Sequence, residues 1–126
     1  MNQGGSVVLI SSAAALVGLA NHEAIAAAKA GIIGLAQSAA ATYASNNLRV
    51  NVVAPGMVNS PLTSSLLSNQ LVLNASKGMH ALGRIGVPED IAHAIVFLLN
   101  PDNSWITGQV IAVDGGLSRV RPKMKI

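Results

Sequence analysis

VVLISSAAALVGLANHEAIAAAKAG, residues 7–31, is the stretch that decides the fold of this chain. Its first four residues form a continuous apolar run, which is typical of a strand covered on both faces of a sheet. Asn21 is predicted to cap the helix that follows, and Glu23 in the first turn suits the positive end of the helix dipole. The stretch therefore predicts a strand, a short loop and a long helix.

Two polar residues of this stretch are candidates for chemistry. Ser12 follows the strand at its carboxyl end, where open α/β sheets bind their ligands. Lys29 lies four residues after Ile25, so these two side chains share one face of the helix. We therefore expect the serine at the strand tip and the helix lysine to face one crevice.

The segments that follow continue the alternation of helix and strand. The helix is predicted over Glu23–Ala44 and a second strand over Leu48–Ala54, which gives a right-handed, parallel β-α-β unit. Gly31 and Gly34 interrupt the helix at a cost of roughly 1 kcal/mol each relative to alanine, which predicts a close backbone approach there. Both long faces of this helix are expected to be buried.

The second half of the chain begins with a long connection, residues 57–86, rich in Ser and Asn. One short helix is predicted within it, over Ser64–Asn74, and a connection of this length is usually a lid or binding loop. Pro88 begins a further helix. A third strand is predicted over Gln109–Val113. The fold class is therefore α/β, with three parallel strands, two main helices and a short lid helix.

Composition excludes several classes of protein. The 126 residues are 51% hydrophobic and 10% charged, which argues against a disordered chain or a nucleic-acid-binding tail. The basic balance comes mainly from Arg119, Arg121, Lys123 and Lys125, and we favour a solvated terminus over a phosphate-binding arm. The chain has no cysteine, and its three histidines lack ligand spacing, so we predict no metal.

The apolar start of the chain also raises the question of export. Residues 7–20 resemble the apolar region of a signal peptide, but no Lys or Arg precedes them and two serines interrupt them. No apolar run is expected to reach the ~20 residues that span a bilayer. We therefore predict a soluble, cytoplasmic protein without nucleic-acid or membrane partners, and an exported structural protein is the third alternative.

The order and spacing of the motifs resemble the carboxyl-terminal half of the short-chain dehydrogenase/reductase family, especially its 3-oxoacyl-[acyl-carrier-protein] reductase-like branch. Ser12 and Lys29 stand at the spacing of the family's Ser and Tyr-x-x-x-Lys. Further matching segments are Arg49–Gly56, Leu82–Ala92 and Ile106–Gly116. The resemblance implies a Rossmann-type doubly wound parallel sheet, of which residues 1–126 are expected to be a partial domain. The glycine-rich turn of the amino-terminal, dinucleotide-binding half is missing, because Gly4-Gly5 precedes a strand instead of following one.

The resemblance implies roles for the residues that remain. Ser12 would orient a substrate carbonyl, and Lys29 would bond the nicotinamide ribose of NAD or NADP. The cofactor-binding residues that it implies are Lys29, Pro55, Gly56, Val58 and Ser60. The residues by themselves leave other interpretations open: Ser12 can bond local backbone, Lys29 can be an exposed helix lysine, and Pro55-Gly56 can be simply a turn.

Ile25 stands at the position of the family's catalytic tyrosine and has no proton to give. A positioned general acid is worth typically ~10²–10⁴ in rate, so carbonyl reduction is expected to suffer. Tyr43 lies about 20 Å farther along the helix than Lys29 and cannot substitute. His22 is either a replacement acid or a polar residue at the helix start. His80 could touch a substrate, and His93 is expected to be solvated.

The resulting prediction is an NAD(P)-dependent oxidoreductase that transfers a hydride between nicotinamide and a small carbonyl or alcohol substrate, working as a homo-oligomer. The activity of the chain alone is doubtful, because the glycine-rich turn and the tyrosine are both absent. The alternative is a truncated relative or pseudo-enzyme that acts only through self-association of its small-residue helix.

Overall fold

The computed structural model describes residues 4–124 and places three parallel strands in one sheet. They are β1 (Gly5–Ile10), β2 (Leu48–Pro55) and β3 (Val110–Val113), and their order in the sheet is β1-β2-β3. Val7 pairs with Val50, and Val53 pairs with Ile111. The predicted parallel α/β sheet is confirmed, with the third strand one residue shorter than expected. Its central strand, β2, is the most buried element.

The long helix α1 (Glu23–Tyr43) connects β1 to β2 and packs against the sheet. Ala36 and Ala40 on its inner side are buried with Val50 and Val52 of β2. Small alanine side chains let the helix lie close to the strand, so this contact forms the core of the β-α-β unit. The sequence predicted the end of this helix one residue later, at Ala44.

The start of α1 differs from the prediction that Asn21 caps it. The N-cap is His22, which makes no side-chain capping hydrogen bond, and Asn21 precedes it with φ of 63°. Asparagine tolerates this left-handed conformation better than most residues. Asn21 therefore turns the chain into the helix instead of capping it, while Glu23 does occupy the first turn.

The outer side of α1 is less covered than expected. Residues 23–46 are long and apolar enough, by length and composition alone, to cross a membrane, a test that core helices of soluble proteins also pass. Only 11% of the most apolar window of this segment is buried. A Cβ added at Gly31 or Gly34 would meet nothing within 4 Å. The expected close backbone approach is therefore not found among residues 4–124, and the expectation that both faces are buried is wrong.

The connection between β2 and the last helix contains two helices where one was predicted. They are α2 (Ser64–Leu67) and α3 (Gln70–Met79). Asn69 separates them, because its side chain accepts hydrogen bonds from the backbone N–H groups of Leu71 at 3.0 Å and Val72 at 3.4 Å. Asparagine is a strong N-cap residue, so the single helix predicted over Ser64–Asn74 was wrong.

The last helix, α4 (Pro88–Leu99), begins at the predicted proline and packs against all three strands. Arg49 of β2 joins the end of this helix to the sheet. Its buried guanidinium donates to the carbonyl oxygens of Leu98 at 3.0 Å, Asn100 at 3.3 Å and Ile106 at 3.0 Å. The carbonyls at a helix end lack partners within the helix, and a cation there is also favoured by the helix dipole.

Asn51, two residues farther along β2, makes a similar connection. Its fully buried side chain donates to the Ile106 carbonyl and accepts from the Gln109 N–H, both at 3.0 Å. The side chains of Arg49 and Asn51 therefore hold the segment that leads into β3 against the central strand.

Replacing Arg49 with alanine is expected to lower the free energy of unfolding by about 2 kcal/mol, because three carbonyls, one buried and two part-buried, lose a charged donor. Urea denaturation followed by circular dichroism measures this loss. Arg84→Ala is the matched control, since its exposed side chain pairs with a single carboxylate and should cost much less. Equal losses in the two variants would contradict this role of Arg49.

Candidate active site

An open cleft of about 540 Å³ lies between the carboxyl ends of β1 and β2 and the helices α2 and α3. Apolar side chains dominate its lining, among them Leu19, Ile25, Leu66 and Met79. Within the described residues the lining contains no carboxylate, lysine or arginine; its titratable side chains are histidines. Such a cleft suits an uncharged ligand, because a charged group would lose its hydration without gaining a partner.

Ser12 lines this cleft directly after β1. Its Oγ accepts a hydrogen bond from the Ala14 N–H at 3.1 Å and so caps a short 3₁₀ turn, Ala13–Ala15. A hydroxyl has one donor in addition to its lone pairs, so the proton of Ser12 remains available to a ligand. The local backbone bond and a bond to a substrate carbonyl are therefore compatible.

Lys29 is half-buried on α1 and does not line the cleft. Its Nζ lies 3.3 Å from the Ile10 carbonyl oxygen, and the Ser11 hydroxyl donates to the Lys29 carbonyl at 2.8 Å. The helix is thus joined to the strand end through Ile10 and Ser11. Ser12 and Lys29, which were expected to face one crevice, do not both line this cleft. An ammonium has three N–H donors, so two of them are not used by Ile10.

Ile25 places a hydrocarbon side chain, 46% exposed, on the wall of the cleft. His22 lines the same cleft one helical turn earlier. Its Nδ1 lies 2.7 Å from the Ala20 carbonyl oxygen, which can only accept, so Nδ1 carries a proton. The Nε2 atom is left as the nitrogen that would exchange a proton with a ligand.

The turn after β2 brings Pro55 and Gly56 to the cleft. The Gly56 N–H donates to the Val113 carbonyl at 3.0 Å. A Cβ at Gly56 would lie 2.9 Å from the Asp114 Cα and 2.9 Å from the His80 Nε2, closer than real contacts allow. Glycine is therefore required at this position by space.

Val58 and Ser60, the remaining predicted cofactor residues, do not line the cleft. Val58 pairs with Gly86 in an isolated parallel bridge. The Ser60 N–H donates to Thr63 Oγ1 at 3.0 Å, and that hydroxyl in turn donates to the Val58 carbonyl. Both residues therefore belong to the backbone that leads from the cleft into the lid helices.

His80 differs from the expectation that it could touch a substrate. The side chain is 3% exposed, and both ring nitrogens have partners, the Ser76 carbonyl at 2.6 Å and the Met57 N–H at 3.1 Å. It borders the cleft without a free nitrogen. Nothing near His80 in the sequence indicates the bond to Met57, 23 residues earlier in the chain. His93 is exposed, as expected.

An exposed ion pair lies beside the Val58–Gly86 bridge. Arg84 holds Asp90 with two hydrogen bonds of 2.9 and 3.2 Å, and the Val87 N–H donates to the same carboxylate at 2.8 Å. The pKa of Asp90 is lowered to about 2, first by the hydrogen bond from Arg84 and then by the backbone bond from Val87. The carboxylate fixes the start of α4.

Comparisons with known proteins agree with this arrangement. A family model described as enoyl-(acyl carrier protein) reductase matches residues 1–118. The 3-oxoacyl-[acyl-carrier-protein] reductase of Thermotoga maritima is 42% identical over 113 residues, which cover 90% of this chain and 45% of the relative. Cis-4-hydroxycyclohexanecarboxylate dehydrogenase of Sinomonas cyclohexanicum is 41% identical over 116 residues, covering 92% and 46%. The chain spans about half the length of the curated relatives it matches.

Solved structures of other proteins share the fold of this chain. ElxO with NADP bound superposes with a TM-score of 0.84 at 32% identity, covering 90% of this chain and 46% of that one. Ligand-free aldohexose dehydrogenase of Thermoplasma acidophilum superposes with a TM-score of 0.87 at 32% identity. The match covers 99% of this chain and 52% of that dehydrogenase. The sheet described above therefore corresponds to part of a Rossmann-type fold.

The ion pair at the start of α4 leads to a pH-dependent prediction. The folded pKa of Asp90, about 2, lies below its ordinary value of 3.8, so its stabilising effect is complete above about pH 4 and is lost as the pH falls through 2. Asp90→Asn is expected to lower the urea midpoint at neutral pH and to lower it much less near pH 2. Glu89→Gln, at an exposed neighbouring residue, is the control substitution. A difference that persists undiminished near pH 2 would contradict this account.

Proposed function

The chain belongs to the short-chain dehydrogenase/reductase family, and from that premise we propose that it provides the nicotinamide and substrate side of an NAD(P)-dependent oxidoreductase domain. Structural neighbours carry bound NADP, and the family is NAD(P)-dependent. The observation that carries the proposal is the convergence of Ser12, Pro55 and Gly56 on one cleft, next to the helix that bears Lys29. The reaction is hydride transfer between nicotinamide and a carbonyl or alcohol.

The residues present fit the nicotinamide end of the cofactor better than its adenosine end. Lys29 has two N–H donors beyond the one near Ile10, enough for two ribose hydroxyls. Gly56 and Val58 offer backbone at the end of β2. For the pyrophosphate, none of the three described strands is followed by a glycine-rich turn that opens a helix, which is the usual phosphate site of this fold. On the side proposed for the pyrophosphate, Ser60 supplies a single hydroxyl.

Each residue has a separate part in the proposed reaction. When bound, the reduced nicotinamide supplies a hydride to the substrate carbonyl carbon. Ser12 donates its hydroxyl proton in a hydrogen bond to the carbonyl oxygen, and Lys29 holds the ribose. The oxygen that develops negative charge also needs a proton, which Ile25 cannot give. His22 lines the cleft and would supply it from Nε2 in the doubly protonated imidazolium form, because Nδ1 holds the proton of the neutral ring.

The cleft also constrains the substrate. Its apolar walls and the absence of charged side chains from the described lining favour an uncharged, largely hydrocarbon ketone or secondary alcohol. Ile25 adds to this wall where a phenol would stand. We propose small molecules of this kind as the substrates.

The proposal includes a further half domain beside β1. Within the described residues β1 pairs with β2 on one side only, and its middle residues are half-buried and apolar. A strand with a free edge of this kind pairs readily with another. We propose that the amino-terminal, dinucleotide-binding half of such a domain adds its sheet at this edge.

The first prediction of this proposed function concerns the cofactor. The chain alone should bind NADPH or NADH weakly or not at all, because residues 4–124 contain no glycine-rich turn that opens a helix and could hold the pyrophosphate. Fusion behind the amino-terminal half of the Thermotoga maritima relative should restore micromolar binding in calorimetric titration. Lys29→Ala in that fusion should weaken binding about tenfold or more, the loss of charged hydrogen bonds. A micromolar dissociation constant for the chain alone would refute this proposal.

The second prediction concerns the missing acid. In the same fusion, Ile25→Tyr should raise the turnover of an apolar ketone by at least ~10²-fold, the usual contribution of a positioned general acid. Ile25→Phe adds the ring without the hydroxyl and is the matched control. If His22 already supplies the proton, His22→Ala should abolish activity and Ile25→Tyr should add little. If none of these variants alters the rate, the cleft is not the active site.

A second candidate function is self-association without catalysis. The observation that favours it is the exposed outer side of α1, where Gly31 and Gly34 face open space and Leu35 is 61% exposed. Contiguous exposed apolar surface of this kind marks interaction sites. We propose that this side, and the free edge of β1, mediate homo-oligomerisation.

The third prediction tests this association. Sedimentation at high micromolar concentration should give a mass well above that of a monomer. Gly31→Glu combined with Gly34→Glu should reduce that mass while leaving the helical circular dichroism intact, because both positions have space in the single chain. A well-folded monomer for the unaltered chain would overturn the proposal.

A further inference from the structure

His80 stands at the boundary between the lid and the sheet. It is the C-cap residue of α3, and its N–H donates to the Ser76 carbonyl at 3.3 Å. Its ring Nδ1 lies 2.6 Å from the same carbonyl, and the side chain is 3% exposed. The ring therefore belongs to the last turn of the lid helix.

The other ring nitrogen reaches the turn after β2. Nε2 lies 3.1 Å from the backbone nitrogen of Met57, which can only donate. Nε2 is therefore the acceptor, and the proton of the neutral ring is on Nδ1, where it is donated to Ser76. A single neutral tautomer satisfies both bonds, so the imidazole forms a bridge from α3 to Met57.

The surroundings leave this bridge little freedom. The space for a Cβ on Gly56 is filled by the His80 Nε2 and Asp114, at 2.9 Å each. On the other side of the turn, the Met57 carbonyl accepts from the Gly86 N–H at 2.9 Å. Among the hydrogen bonds of the described residues, the His80–Met57 bond is the one that joins α3 to this turn.

We propose that His80 is a positioning residue that couples the lid helix α3 to the turn at residues 55–58. The bond from Met57 to His80 forms only while the last turn of α3 is folded, so movement of the lid over the substrate changes the backbone at Met57. This inference deepens the proposed function and rests on it in one respect, that the turn faces nicotinamide.

The coupling is measured in the chain alone, without cofactor, by residue-resolved hydrogen–deuterium exchange at low micromolar concentration. Asn69→Ala removes the N-cap of α3 and loosens the lid at a distance from His80. The amides of α3 and of Met57 are expected to exchange faster by a similar factor, about fivefold, while the amides of α1 are unchanged. If Met57 keeps its protection, or if α1 accelerates equally, the proposed coupling is wrong.

Two substitutions of His80 then separate its bonds. His80→Asn keeps a donor near Ser76 but has no acceptor for Met57, so Met57 should exchange at least about tenfold faster and become insensitive to Asn69→Ala. His80→Gln places an oxygen near the Nε2 position, so it should retain both the protection and the sensitivity. Equal behaviour of the two variants would contradict the bridge. The Asn69→Ala comparison requires no His80 variant to fold.

The outcomes also distinguish this inference from the proposed function. Failure of the coupling leaves the cofactor prediction intact, because that depends on the pyrophosphate site and Lys29. Coupling without any cofactor binding by the fusion would reduce His80 to a structural link and would overturn its role as a positioning residue.

Discussion

The close approach of Gly56 to Asp114 and His80 is the constraint on which the cleft depends. No Cβ fits at Gly56, because Asp114 Cα and His80 Nε2 both lie 2.9 Å from where it would stand. This contact sets the end of β2 against the residues after β3 and against the lid helix. Parallel pairing then places the end of β1, with Ser12, on the same rim.

In the proposed active site, the residues that would position a substrate differ from those that would transfer a proton. Ser12 and the turn after β2 depend on the sheet, whose register is held by buried valines and by Asn51. In the proposed reaction, proton donation would depend instead on His22 or on the side chain at the position of Ile25. A hydrocarbon there leaves the fold intact, since helix and cleft wall are both apolar. Our proposal of an incomplete active site follows from this separation.

Local patterns in the sequence predicted the strands, α1 and α4, because apolar runs and the proline at a helix start act over a few residues. They also predicted that Ser12 and Lys29 would face one crevice, but Lys29 does not line the cleft. The family resemblance, and no local pattern, implied the roles of Pro55 and Gly56, which the structure places on one cleft with Ser12. The break of the lid at Asn69 was missed although asparagine is a strong N-cap residue. An N-cap at Asn21 was expected, but its backbone is left-handed.

The features that could not be predicted depend on contacts between distant parts of the chain. Arg49 and Leu98 are 49 residues apart, and no local pattern indicates that a strand arginine will bind a helix end. The open space beside Gly31 and Gly34 is likewise a property of the packed chain. Interior glycines indicate a close approach, but not whether the approaching backbone belongs to the same molecule.

The central claim is that residues 55–58 and Ser12 form the nicotinamide side of the site. Nuclear Overhauser effects in the fusion protein, with methyl-labelled valine and saturating NADPH, test it most directly. The account predicts contacts between the nicotinamide ring protons and the methyl groups of Val72, which lines the cleft with Ser12 and Gly56, and none to Val96, which is 65% exposed on α4. Contacts to Val96 with none to Val72 would contradict the account.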